Sequence, residues 1–191
     1  MNPIFDAALE VENICRTAGF KFCFIGGIAV QRWGQPRMTA DVDLTVITGF
    51  GQEAPYVDAL LEHLVGRIPD ARAFALAHRT LLARTANGIN ADIALGAMPF
   101  EERTVVRASK FAISATQSIT TCSAEDLVVH KAFAGRDKDW LDIEGIVTRQ
   151  PALDQALVWE ELLPLLELKE DTTSAVRLRH VFATAGRADR P

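Results

Sequence analysis

The sequence predicts an α/β fold, in which short strands and helices alternate to about residue 122 and helices alone follow. Three observations carry this expectation. An apolar and aromatic run from Phe20 to Ile25 stops at Gly26-Gly27. Two runs of strand length, Thr80 to Thr85 and Ile89 to Leu95, flank Asn87-Gly88, a hairpin turn signal. From Ser123 to about Thr148 the apolar spacing is helical, and Ser123 with Asp126 three residues on has the form of a capping box.

Taken in order, residues 4–18 set Ile4, Ala7, Ala8, Val11 and Ile14 or Cys15 on one helical stripe. Phe20 to Ile25 is too short and too aromatic for a helix and reads as a strand. Ile28 to Trp33 is a short helix whose N-terminus rests on the two glycines, and Gly34-Gln35-Pro36 stops it. Asp41 to Ile47 is the second strand, and Tyr56 to Val65 an amphipathic helix. In the hairpin, Ile89, Ala91, Ile93 and Leu95 share one face, so Asp92 points out of that stripe. Residues 100–108 are helical, with Glu101-Glu102 as a solvated start, and short strands follow near 110–114 and 118–122. Gly135 kinks or divides the long helical segment, and Pro151 begins a final helical region. We therefore expect a sheet core over residues 1–122, a helical part over 123–185 packed on it as one domain, and a frayed tail over 186–191.

Composition narrows the function. The chain has 191 residues, 49% apolar and 24% charged, which is ordinary for a globular protein that can fill a core. A net charge of −5 argues against general affinity for nucleic acid, though not against a local basic patch. Cys15, Cys23 and Cys122 are scattered without metal or redox spacing, as expected of buried thiols in a reducing cytosol. The acidic, amphipathic N-terminus lacks the basic region of a signal peptide, and no apolar run approaches the ~18 residues of a membrane span. These features lead to the expectation of a cytoplasmic protein with no membrane partner.

The chemistry is concentrated in the second strand. Side chains two apart on a strand share a face, so Asp41 and Asp43 project together. Adjacent carboxylates repel and cost desolvation unless a cation lies between them. With Asp92 on a neighbouring strand they make a three-acid site of hard oxygen ligands suited to Mg²⁺ or Mn²⁺. Such ions can stabilise both the attacking and leaving oxygens of a phosphoryl or nucleotidyl transfer. The competing reading of Asp41 and Asp43 is a solvated strand edge, and of Asp92 a surface residue beside a turn.

These residues resemble the polymerase-β-like nucleotidyltransferase superfamily: a strand, Gly-Gly or Gly-Ser, a short helix, Asp-x-Asp, and a third acid later. Within it the chain is similar to the AbiE-type nucleotidyltransferase toxins. A first block matches through Gly26, Gly27, Ala29, Gly34, Arg37, Thr39, Asp41 and Asp43. A second matches through Glu125, Asp126, Leu127, Lys131, Ala134, Arg136, Asp139 and Asp142. The resemblance implies a nucleotidyltransferase fold, a small mixed β-sheet packed by helices. It further implies transfer of an NMP from an NTP to an acceptor hydroxyl, with Mg²⁺ or Mn²⁺ as cofactor.

On this resemblance Asp41, Asp43 and Asp92 are the metal ligands and catalytic acids, and Asp142 is a late acid that acts as base. Gly26, Gly27, Arg37, Thr39 and Lys131 would bind the nucleotide, Lys131 supplying charge for the phosphates. Many members carry Ser where this chain has Gly27, so phosphate binding here rests more on the helix N-terminus. The competing reading of Lys131 is an exposed helix charge, and of Arg136 and Asp139 a local ion pair. Implied partners are an RNA acceptor such as tRNA, with Arg32, Arg37, Lys131, Arg136 and Lys138 as its basic cluster, and a cognate antitoxin. An antibiotic- or protein-modifying transferase, or a catalytically silent nucleotide-binding module, remains open.

Overall fold

The computed structural model describes residues 2–188, with side chains to Thr184. Two compact units emerge, and the boundary runs through one helix. Residues up to Ile28 with Met38–Cys122 form the first, and Ala29–Arg37 with residues from Ser123 onward form the second. The tail expected over 186–191 lies outside the described residues in its side chains and, from 189, in its backbone.

The first unit is built on a seven-stranded mixed sheet. Its strands are β1 (Phe22–Phe24), β2 (Asp41–Ile47), β3 (Val65–Gly66), β4 (Thr80–Arg84), β5 (Asn90–Gly96), β6 (Ser109–Ala112) and β7 (Ser118–Thr121). They lie in the order β3-β4-β5-β2-β1-β7-β6. β2 runs antiparallel to β1 and parallel to β5, in a register that sets Asp41 against Asn90 and Asp43 against Asp92. Alternation does the rest. Val42, Leu44 and Val46 of β2 and Ala91, Ile93 and Leu95 of β5 turn into the core, so the aspartates face the other way.

The helices of this unit are α1 (Pro3–Thr17), α3 (Glu53–Leu61), α4 (Ala71–His78) and α5 (Pro99–Arg107), with the first turn of α2 (Gly26–Trp33). α1 opens on Asn2, whose side chain accepts from Ile4 N–H, with Pro3 in the first turn where no partner is lost. Its stripe of Ile4, Ala7, Ala8, Val11 and Cys15 is buried, and the helix packs on β7 and β2. Buried Glu12 on the same helix accepts from Thr120 N–H at 2.9 Å and from Lys110, which ties α1 to β7 and β6. Burial, and then the charge of Glu12, pushes the Cys15 thiol up to about 12. Glu101 is less solvated than its position suggested: it accepts from the Ala97 and Met98 amides at 2.9 Å and so caps α5.

The second unit contains the rest of α2 with α6 (Ala124–Ala134), α7 (Asp137–Arg149), α8 (Gln155–Lys169) and α9 (Ser174–Ala188). Ser123 caps α6 by accepting from Asp126 N–H at 3.0 Å, and Gly135 at φ +68° divides α6 from α7. Leu127, Val128, Ile143, Ile146, Val158, Leu162 and Leu178 fill the core. The end of α2 belongs here because Gly34 lets Ile146 close in: an added Cβ would lie 3.1 Å from its side chain.

Two expectations are corrected. The helix expected over 56–65 runs Glu53–Leu61, because Val65 and Gly66 pair with Arg84 and Ala83 as an edge strand. The final helical region is two helices, broken where Glu170 adopts φ +56° and Asp171 accepts from the Thr173 and Ser174 amides. The hairpin turn falls where Asn87-Gly88 placed it: Thr85 N–H bonds to the Ile89 carbonyl around residues 86–88, and Gly88 supplies a positive φ of 84°. α4 carried no expectation at all. No helix among the described residues is long and apolar enough to cross a membrane.

Candidate functional site

In the first unit, one ligand oxygen from each of Asp41, Asp43 and Asp92 lies within 4.8 Å of the others. The cause is the parallel β2–β5 register together with the two-residue alternation of each strand. All three side chains are partly exposed, so the cluster opens to solvent.

The glycines press against this cluster. Ile25 N–H donates to the Asp43 carbonyl at 2.9 Å, and Gly27 N–H points at Asp43 Oδ2 from 3.4 Å. Gly26 has φ +57°, and a Cβ there would lie 2.1 Å from Asp43 Oδ2. Glycine is required on both counts: by the backbone conformation and by the approach of the carboxylate. At Gly27 a Cβ would lie 2.3 Å from Thr39 Oγ1. The Thr39 hydroxyl itself donates to Asp41 Oδ1 at 3.1 Å and so steadies a member of the triad. Thr39 therefore fills the space that a serine side chain at position 27 would enter, which gives the departure at Gly27 a physical reason.

Sequence reasoning missed one neighbour of the triad. Arg67 Nη2 lies 2.8 Å from Asp92 Oδ1. It stands in a loop, far from either motif block, and nothing in local pattern distinguishes it from the other arginines.

Three carboxylates with no sulfur or imidazole among them form a donor set that fits a small hard divalent cation. Clustered like charges at this separation are costly without a counter-charge. Arg67 supplies part of one.

In the second unit, Arg37 donates through Nε and Nη2 to the two oxygens of Asp142 at 2.7 and 2.8 Å. Lys131 Nζ lies 2.7 Å from Asp142 and 3.3 Å from Asp139. Arg136 Nε donates to Asp139 at 2.6 Å, as the spacing of a local ion pair anticipated. Lys131 was expected as a phosphate ligand or as an exposed helix charge. Its side chain is 6% exposed and sits between two buried carboxylates. Burial alone would raise the carboxyls of Asp139 and Asp142. Hydrogen bonds and the positive charges of Arg136 and Lys131 around the one, and of Arg37 and Lys131 around the other, outweigh it and hold both below the usual range.

Three of the five charges expected to form a basic cluster, Arg37, Lys131 and Arg136, are thus matched by two buried carboxylates. Arg32 stacks over Trp33 at 4.0 Å.

A family model described as the nucleotidyl transferase AbiEii toxin of type IV toxin–antitoxin systems matches residues 15–189. No curated protein sequence matches the chain. Among solved structures, an antigenic nucleotidyltransferase-like protein from Paracoccidioides brasiliensis is similar. It has 14% identity and a TM-score of 0.52, with 92% of each chain covered. The antibiotic-resistance factor ANT(2'')-Ia is similar too, at 14% identity and a TM-score of 0.54, covering 93% of this chain and 98% of that one. At such identities the two structures establish the shared fold.

Proposed function

The chain belongs to the AbiEii nucleotidyltransferase toxin family, and on that premise we propose that it moves an NMP from an NTP to a hydroxyl of an RNA acceptor, with Mg²⁺ or Mn²⁺ at the acid triad. Convergence of Asp41, Asp43 and Asp92 beside the glycine-led start of α2 is the observation that carries this reading. The divalent cation, when bound, supplies positive charge to the phosphates and to the attacking and leaving oxygens.

The chain's own residues divide the remaining work. Asp41 and Asp43 hold the cation-binding face, with Asp41 fixed by the Thr39 hydroxyl and Asp43 by its seat against Gly26 and Gly27. Backbone N–H groups at the start of α2 offer donors to a phosphate. Asp92 takes the proton of the acceptor hydroxyl, whose oxygen then attacks the α-phosphorus while pyrophosphate departs. Lys131, Arg37 and Asp142 act as a unit that shapes α6 and α7, with Asp142 holding the two cations.

The reading of an RNA acceptor, tRNA within it, and of restraint by an antitoxin in the cytoplasm is supported by the resemblance to the toxin family. The test is incubation of the protein with each labelled NTP, Mg²⁺ and total cell extract, with EDTA and Asp43→Asn as controls. Label on RNA, lost in both controls, is the expected result. Label on protein or on a small molecule overturns the acceptor assignment, and label insensitive to EDTA overturns the metal.

A further inference from the structure

Arg67 follows β3, and its backbone N–H donates to the Leu82 carbonyl at 2.9 Å. Leu82 on β4 is in turn the register partner of Asp92 on β5. The guanidinium therefore reaches across one strand to stop 2.8 Å from Asp92 Oδ1. Oδ1 is sealed from solvent and accepts no hydrogen bond of aligned geometry. This contact conveys charge rather than direction, unlike the grip of Arg37 on Asp142 through two aligned bonds.

We propose that Arg67 is a resident counter-ion of the triad, which competes with the divalent cation for Asp92 and so weakens metal binding to the nucleotide-free protein. The inference rests on the triad being a metal site. Two opposed effects have to be weighed. A partner that orients a ligating carboxylate strengthens metal binding, and its loss costs 10- to 100-fold. A fixed positive charge beside the same carboxylate repels the incoming cation. Without an aligned N–H···O bond the orienting effect is small, and repulsion decides the sign. A unit charge about 5 Å from a divalent ion is worth more than about tenfold in affinity even at the dielectric of water. The consequence is functional: the cation is favoured when a triphosphate brings negative charge of its own.

Titration calorimetry of Mn²⁺ into nucleotide-free protein tests this in wild type, Arg67→Gln, Arg67→Lys and Asp43→Asn. Arg67→Gln should bind Mn²⁺ at least about tenfold more tightly, Arg67→Lys should resemble wild type because the charge remains, and Asp43→Asn should lose binding. Arg67→Met repeats the measurement should the glutamine variant fold poorly. Unchanged or weaker affinity in the uncharged variants, with wild type binding and Asp43→Asn not, overturns the counter-ion role alone. Absence of binding in wild type, or binding that survives Asp43→Asn, overturns the metal site itself and the counter-ion with it.

Discussion

Arg37 and Asp142 form a two-point ion pair, at 2.7 and 2.8 Å, between residues 105 positions apart in the chain. Asp142 also holds Lys131, so removing its carboxylate leaves a buried ammonium with Asp139 as its remaining partner in this network. Breaking a buried pair from one side costs roughly 3–5 kcal/mol, and the partial exposure of Arg37 places this one near the lower end. Asp142→Ala should therefore lose about 3 kcal/mol in urea denaturation. A stable variant that merely turns over slowly would instead mark Asp142 as a base in the reaction.

The same network sets an acid limit. Asp139 and Asp142 are held below the ordinary carboxyl value of about 3.9. The unfolded chain therefore takes up protons first as pH falls. Stability from these groups is complete above that value and drains away as pH drops through their lower folded values. Melting temperatures followed from pH 6 to pH 2 should fall less steeply in Asp142→Asn than in wild type over the acid part of the range. Parallel curves would count against the network.

Asp43→Asn removes one of the clustered carboxylates. The apo protein should hold or gain stability, since a like-charge repulsion goes. The rise in melting temperature given to wild type by Mn²⁺ with a non-hydrolysable NTP should vanish, because a ligand stabilises only the state that binds it. Persistence of that rise in both Asp41→Asn and Asp43→Asn would remove the triad from the metal assignment.

Substitution at the glycines should act through the aspartates and Thr39. Gly26→Ala meets both a positive φ and Asp43 Oδ2, so it should cost about 1–3 kcal/mol and displace the carboxylate. Gly27→Ser should also destabilise, by about 1–3 kcal/mol, because Thr39 already occupies the space. Thermal melts and Mn²⁺ titration of both variants check this. A Gly27→Ser protein as stable as wild type would show that Thr39 yields.

Cys15 should resist alkylation in the native state. Its thiol is buried and pushed up to about 12, so almost no thiolate forms near neutrality. Mass spectrometry after brief iodoacetamide treatment, with and without denaturant, should find Cys15 modified in the denatured sample alone. Rapid native labelling would contradict the packing of α1.

The pairing of Asp41 with Asp43 and the outward turn of Asp92 were determined by sequence alone, because strand alternation is a local rule that no distant residue can change. The cap at Ser123, the break at Gly135 and the stop at Gly26-Gly27 were legible for the same reason: each depends on a few neighbouring dihedrals and hydrogen bonds. Tertiary structure alone decided which distant charges meet. Lys131 and Arg37 look like free cations in the sequence, and two buried carboxylates claim them, whereas the Arg136–Asp139 pair, three residues apart, was legible beforehand. Arg67 carries no local mark, and the order of β3, β4 and β5 brings it to Asp92. Coulombic pairing depends on separation in space, and strand order and helix packing set that separation where chain distance does not.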